Sequence, residues 1–265
     1  MGTPRSRPLA VVTGASSGIG YELAKQFGEH GYDLVVAASR EEIRLTAQQL
    51  EETGAQVHPV QVDLATLEGV ETLWARVEAI GRPVDSAAIN AGVGVGGPFA
   101  ETDLDAELSL VDLNVRSAVH LAKLCVRDMV PRGDGRILFT SSIAGTQPGP
   151  FEAVYAASKA FLLSFSEGLR EELKDSGVTV TALMPGPTDT EFFERAGMTD
   201  TKVGQGSKDD PARVAEEGFK ALMKGKDHVV AGSMKNRVMA GAAKVTPATV
   251  AAKVHRGMSE PGSGT

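Results

Sequence analysis

The sequence predicts an α/β fold, a doubly wound parallel sheet of about seven strands with helices on both faces. Three observations carry that expectation. Short apolar runs rich in β-branched residues alternate along the chain with longer stretches of helical period. Runs such as Leu34-Val35-Val36-Ala37-Ala38 and Val178-Thr179-Val180-Thr181-Ala182-Leu183 are almost continuously apolar or β-branched, as parallel strands covered on both faces must be. The first run, Pro8-Leu9-Ala10-Val11-Val12, enters the turn Thr13-Gly14-Ala15-Ser16-Ser17-Gly18-Ile19-Gly20 and then a helical pattern, which reads as strand, glycine turn, helix.

The remaining elements follow in order. Strands are expected at about 32–38, 56–62, 84–89, 135–141, 178–184 and 228–231. Helices are expected at about 18–30, 41–53, 66–80, 101–130, 152–175 and 211–224. This is a succession of βαβ units. With 265 residues and 42% hydrophobic content, and no linker-like shift of composition before the C-terminal end, one domain over 8–232 is the economical division. Residues 233–258 form an Ala-rich, basic extension (Lys235, Arg237, Lys244, Lys253, Arg256), broken at Pro247 into two short helices. Residues 1–7 and 259–265 read as flexible termini. Met1-Gly2-Thr3-Pro4-Arg5-Ser6 formally fits an N-myristoylation pattern, but Pro4 to Pro8 reads as a disordered leader.

Composition excludes several function classes. A formal charge of −7 argues against nucleic acid as the main partner. No apolar run reaches the roughly 18–20 residues needed to span a bilayer, so no transmembrane segment is expected. The single Cys125 lies in an apolar helical stretch and excludes an internal disulfide, which points to core packing and a cytoplasmic location. His30, His58, His120, His228 and His255 show no metal-ligand spacing and call for no role beyond surface or packing, so no metal is expected.

Two clusters carry chemistry. In the glycine turn the backbone can lie close to a pyrophosphate, while free N–H groups and the positive end of the following helix attract phosphates. Its spacing, G-x-x-x-G-x-G, departs from the common G-x-G-x-x-G dinucleotide fingerprint. Tyr155 and Lys159 stand one helical turn apart on a shared face, with Ser142 thirteen residues upstream of the tyrosine. A cation there favours phenolate. Bringing a tyrosine from pH ~10 to near 7 takes roughly 4 kcal/mol of preferential stabilisation of the anion, part of which Lys159 would supply. Gly14, Asn90, Ser142 and Pro185 each fall just after a strand, on the carboxyl edge of the sheet where ligands bind in such folds.

Taken in order, Thr13-Gly14-x-x-x-Gly18-x-Gly20, Asn90-Ala91-Gly92, Asn114, Ser142, Tyr155-x-x-x-Lys159 and Pro185-Gly186-x-x-x-Thr190 resemble the short-chain dehydrogenase/reductase family, in its shorter, single-domain branch. The resemblance covers about residues 8–232 and implies a Rossmann-type fold. It implies that Tyr155 is the acid/base, that Lys159 lowers its pKa and binds the nicotinamide ribose, that Ser142 orients the substrate oxygen, and that Asn114 supports a water in the proton relay. Ser141 is the rival for Ser142, but the interval to the tyrosine favours Ser142. It also implies cofactor contacts at Gly14, Ser16, Ser17, Gly18, Ile19, Gly20, Asn90, Ala91, Gly92, Pro185, Gly186, Thr188 and Thr190, the last holding the nicotinamide amide. Asp63-Leu64 resembles the adenine-contacting pair, although Asp63 also suits a helix cap. Ile89 stands where the family often has a second asparagine.

An NAD-preferring site places a carboxylate about 20 residues past the glycine turn, where this chain has Ser39-Arg40. A hydroxyl and a guanidinium can bind a 2′-phosphate, so NADP(H) is favoured over NAD(H), with Arg40 paired to Glu41 or Glu42 as the alternative. Ser17 stands where such members often carry a basic residue. The expected pocket is lined by Val93, Gly94, Val95, Ile143 to Gln147, Phe151 and the Pro187 to Met198 segment with Phe192 and Phe193. It suits a small lipophilic ketone, aldehyde or secondary alcohol; Arg195 and Lys202 are the exceptions to its apolar character. Residues 188–210 have the composition of a mobile lid. The extension fits a subunit contact in a homodimer or homotetramer, a cover for the pocket, or a touch on an acidic membrane. Two rival readings stay open: a nucleotide-sensing protein without turnover, and an epimerase or dehydratase of the same superfamily.

Overall fold

Side-chain alternation inside each strand decides the layering. The computed structural model describes residues 7–243 and 246–264; what the sequence led one to expect of Met1–Ser6, Lys244 and Thr265 lies outside the described residues. Strands β1 (Leu9–Thr13), β2 (Asp33–Ala38), β3 (Val57–Gln61), β4 (Ser86–Ile89), β5 (Gly135–Thr140), β6 (Val178–Pro185) and β7 (His228–Ala231) form one sheet in the order β3-β2-β1-β4-β5-β6-β7. Every pairing is parallel, with Val11 opposite Val35 on one side and Ala87 on the other.

Leu9, Val11, Val35, Ala37, Ile137 and Phe139 point to one face, where they meet α3 (Leu67–Ala79), α5 (Ser117–Met129) and α6 (Ala153–Glu172). Their neighbours Ala10, Val12, Leu34, Val36 and Leu138 point to the other, against α1 (Gly18–Glu29), α2 (Ile43–Glu51) and α9 (Pro211–Met223). Fully buried side chains such as Leu23, Phe27, Leu73 and Leu121 contribute about 1.5–3 kcal/mol each through area removed from water. Winding runs outward from β1 to β3 and then resumes at β4 beside β1. That reversal opens a crevice at the strands' carboxyl ends.

Three regions differ in detail from the sequence expectation. The single helix expected over 101–130 is α4 (Leu104–Val111), a π-helical turn Asp112–Arg116, and α5. Asp103 caps the start by accepting from Ala106 N at 3.0 Å. One inserted residue does not disturb the apolar period of the flanking turns, so the sequence gives no sign of the π turn. Second, the segment expected as a lid holds α7 (Phe192–Arg195) and α8 (Lys202–Gln205) around a small core of Phe193, Ala196 and Met198, and its ends meet at a parallel bridge between Thr188 and Asp209. Third, the end of the chain is tied down: Gly264 N donates to Asp200 O at 2.9 Å, and Lys202 N donates to Ser263 Oγ at 3.1 Å. Arg7 likewise donates to the carbonyls of Gly31, Gly28 and Gly54.

The extension forms α10 (Met234–Ala243) and α11 (Ala248–Ser259), with Pro247 immediately ahead of α11. Among the described residues no helix is long and apolar enough to cross a membrane.

Candidate active site

At the exit of β1 the chain must turn beneath β4 with almost no room. Gly14 has φ 66°, and a Cβ on it would stand 2.9 Å from Ala91 Cα; a Cβ on Gly20 would overlap the Gly14 carbonyl. Thr13 ties the same edge together. Its hydroxyl oxygen accepts from Asn90 N at 2.9 Å and Ala91 N at 3.0 Å, while Asn90 Nδ2 donates to Thr13 O at 3.1 Å. Thr140 Oγ1 then donates to Asn90 Oδ1 at 2.9 Å, so β1, β4 and β5 are stitched side by side through three polar residues.

Helix α1 begins at Gly18 with an extended Ser17 before it, no side-chain cap and no acidic residue in its first turn. Its first N–H groups and its positive end are therefore free to meet an anion. Arg40, at the end of β2, donates to Ser17 Oγ at 3.3 Å and also pairs with Glu191 at 3.3 Å and Glu42 at 3.9 Å. Arg195 shares Glu191 with it; burial and the neighbouring Arg40 lower the Arg195 pKa. Asp63 accepts from Ala65 N at 2.9 Å, a local turn that sets up the Thr66 cap of α3, while also facing the cleft with Leu64.

The second cluster lies on α6. Lys159 is buried, and its Nζ donates to Thr140 O at 2.9 Å, 5.7 Å from the Tyr155 ring centroid. Burial lowers its pKa to about 8. Burial raises the Tyr155 hydroxyl above its ordinary range, the Glu152 carboxylate raises it further, and a hydrogen bond with Ser142 opposes both. Burial and Glu152 thus act on the phenol in the sense opposite to the nearby Lys159 cation. Ser142 also accepts from Ala144 N at 3.1 Å, whereas Ser141 is turned inward to donate to Lys159 O at 2.7 Å.

Asn114 sits behind this cluster in the π turn, buried, and does not line the cleft. Its side chain closes both polar groups of Val93, accepting from Val93 N and donating to Val93 O at 2.9 Å each, and donates to Ser158 Oγ at 3.0 Å. The bulge turns that amide toward the β4 exit.

One cleft of about 860 Å³ joins both clusters. Gly14, Ser16, Ser17, Gly18, Ile19, Gly20, Ser39, Arg40, Asp63, Leu64, Asn90, Ala91, Gly92, Ser142, Tyr155, Lys159, Pro185, Gly186, Thr188 and Thr190 all line it. So do Val93, Gly94, Ile143, Ala144, Gln147, Phe192, Phe193, Arg195 and Lys202. Val95, Gly145, Thr146, Phe151 and Met198 do not, which corrects the expected lining. Phe192 packs on Tyr155 with ring centroids 5.1 Å apart. Sequence reasoning missed Glu152, Asn236, Met239, His255 and Met258, four of them from the extension. The available signal was a buried stripe at helical spacing, Ala251, His255 and Ser259, with a polar residue inside it.

The cradle fits a dinucleotide: a glycine turn with exposed N–H groups at one end, a proton donor at the other, and a continuous space between. Among the described residues no group of three or more His, Cys, Asp or Glu could hold a metal ion.

Comparison with known proteins agrees with that geometry. The family model for short chain dehydrogenases matches residues 8–200. Oxidoreductase UcpA of Salmonella typhimurium is 31% identical over 214 residues, which are 80% of this chain and 79% of the relative. A putative ketoacyl reductase of Streptomyces coelicolor is 36% identical over 185 residues, 69% of this chain and 71% of the relative. Among solved structures, a short-chain dehydrogenase from Sphingobium yanoikuyae in complex with NADPH superposes with a TM-score of 0.79 at 28% identity, covering 90% of this chain and 94% of that one. The chain belongs to the short-chain dehydrogenase family of NAD(P)-dependent oxidoreductases acting on CH–OH and C=O groups.

Proposed function

We propose that this short-chain dehydrogenase uses NADP(H) in preference to NAD(H) and acts on a small lipophilic carbonyl or secondary alcohol, with Tyr155 as the acid/base. The observation that carries the reading is the convergence of Tyr155, Lys159 and Ser142 on one cleft that runs unbroken to the glycine turn. Bound there, the nicotinamide supplies or takes up the hydride at the carbinol carbon. Tyr155 Oη holds the proton that the substrate oxygen gains or loses. Lys159, one turn along α6, stabilises the phenolate left behind and reaches the nicotinamide ribose. Ser142 donates to the substrate oxygen and fixes its position. Asn114 braces the β4 exit and supports the water that returns a proton to Tyr155.

The same reading places the pyrophosphate on the N–H groups at Ser16 to Gly20 and the nicotinamide amide at Thr190. Asp63 and Leu64 hold the adenine, and Asn90, Ala91, Gly92, Pro185, Gly186 and Thr188 hold the nicotinamide half. The NADP preference is supported by Arg40 beside Ser17, with Ser39 next to it and Arg195 adding a second cation. A 2′-phosphate would compete with Glu191 and Glu42 for the guanidinium. Val93, Ile143, Ala144, Phe192 and Phe193 support a lipophilic substrate. A homo-oligomer belongs to the reading as well, supported by Leu104, Leu108 and Val111, exposed along one face of α4 at helical spacing, and by exposed Phe161 on α6. A cytoplasmic location fits the lone thiol Cys125, which burial pushes up to about 12.

The test is the 340 nm absorbance of NADPH and NADH in parallel across a panel of lipophilic ketones, aldehydes and secondary alcohols. Oxidation of NADPH in excess of NADH is expected. Tight binding of both nucleotides with turnover of neither would overturn the reading in favour of a sensor, and conversion of substrate without net nucleotide turnover would favour an epimerase or dehydratase.

A further inference from the structure

Three contacts from α11 converge on the two residues that precede α6. His255 Nε2 donates to Glu152 Oε1 at 2.5 Å, and Ser259 Oγ donates to the same oxygen at 3.4 Å. The Arg256 guanidinium lies over the Phe151 ring, 5.2 Å from its centroid. Glu152 and His255 are both buried and lie 103 residues apart in the chain. Gln147 Nε2 lies 3.1 Å from His255 Nδ1, so the imidazole is held by a polar partner at each ring nitrogen. Phe151 itself has φ 65°, left-handed for an aromatic residue, and Phe151 is the only described residue other than glycine with positive φ. Such a conformation persists only where its surroundings over-determine it. Here Gly97 N donates to its carbonyl at 2.7 Å, and α11 holds its ring and its neighbour.

We propose that Glu152 is a positioning residue for Tyr155 and that α11, through His255, is the clasp that holds Glu152 in place, so that the substrate end of the cleft is complete only with the extension docked. The proposal rests on the reading of Tyr155 as acid/base. Glu152 lies three residues before Tyr155 on the entry to α6, and with His255 it lines the cleft. Its carboxylate disfavours the phenolate and so holds the proton on Tyr155; Lys159 on the same helix works in the opposite sense. Ser142 and Phe192, the other groups against the phenol, carry no charge. The ionisable groups acting on Tyr155 are thus Glu152 and Lys159, and His255 acts through Glu152.

Four variants separate clasp from charge. Glu152→Gln keeps the shape and an acceptor for His255 but removes the charge. Glu152→Asp keeps the charge but falls one methylene short of His255. His255→Ala removes the donor, and His255→Gln restores an N–H donor. Hydrogen exchange of residues 248–259, measured on the protein without nucleotide, should rise roughly tenfold or more in His255→Ala and Glu152→Asp and stay near wild type in His255→Gln. In NADPH-dependent reduction the alkaline limb of the pH profile should move down by about one unit in Glu152→Gln and stay in place in His255→Gln, which keeps both the charge and the donor that holds it. Unchanged exchange in His255→Ala overturns the clasp, and an unmoved limb in Glu152→Gln overturns the positioning role. If exchange responds while the wild type reduces nothing, the clasp stands and the assignment of Tyr155 falls with the oxidoreductase reading.

Discussion

At the glycine-turn end of the cleft nearly every group comes from a residue close in sequence or from the end of a neighbouring strand: Gly14 to Gly20 in one turn, Arg40 at the exit of β2, Asn90 to Gly92 at the exit of β4. At the Tyr155 end the walls come from far apart, with Gln147 and Glu152 before α6, Phe192 and Phe193 from the 188–210 segment, and Asn236, His255 and Met258 from the extension. Chemistry differs in step with construction. The first end offers backbone N–H groups and a half-buried guanidinium, suited to phosphate; the second buries Tyr155, Lys159, Glu152 and His255, and desolvation shifts the proton affinities of Tyr155 and Lys159. Binding and proton transfer are therefore separable by mutation.

The largest expected effect lies at the buried end. Lys159→Met should lower kcat by about 10²–10³-fold, the size seen when one preorganised charge or donor is removed from a developing anion. Steady-state reduction of a responsive carbonyl reads this directly, and retention of kcat would break the contrast between the two ends. At the exposed end, Arg40→Glu should weaken NADPH binding by roughly 10–100-fold, the worth of a lost charge-assisted hydrogen bond, while leaving NADH nearly unchanged. Fluorescence titration of both nucleotides decides it; equal losses for the two would show that Arg40 supports the turn rather than a 2′-phosphate.

The smallest effect is on stability. Lys159 has a folded pKa of about 8 against an ordinary 10.5, so between those values the unfolded chain binds the proton that the folded chain has released. Stability contributed by this group therefore rises with pH across that window and is lowest below pH 8. Chemical denaturation at pH 7.5, 9 and 10 should show that rise in wild type and not in Lys159→Met. A rise that persists in the variant would assign it to another group.

The two ends were also unequally legible in the sequence. The β-branched runs gave the seven strands, and their nearly continuous apolar character gave a sheet covered on both faces. Gly14 to Gly20, Asn90, Ser142, Tyr155 and Lys159 were legible because local spacing or a strand end places them. The π turn was not, since Asn114 shifts the helix by one residue without changing which flanking side chains are apolar. Glu152 and His255 were not, because their meeting depends on how α11 docks, which the Ala251, His255 and Ser259 stripe does not itself specify. Asn236, which donates to Asp209 at 2.7 Å and to Ala231 O at 3.0 Å, was hidden for the same reason. Spacing reports the Lys159 cation beside Tyr155 and is silent about burial and about Glu152, both of which raise the proton affinity of the phenol.

One pair of measurements tests the central claim most directly: NADPH-dependent carbonyl reduction and NADPH binding, on wild type and Tyr155→Phe side by side. If Tyr155 is the proton donor at an end of the cleft distinct from the nucleotide cradle, the variant should lose about 10²–10⁴-fold in kcat while binding NADPH as tightly as wild type. Reduction at an undiminished rate by Tyr155→Phe would contradict the account.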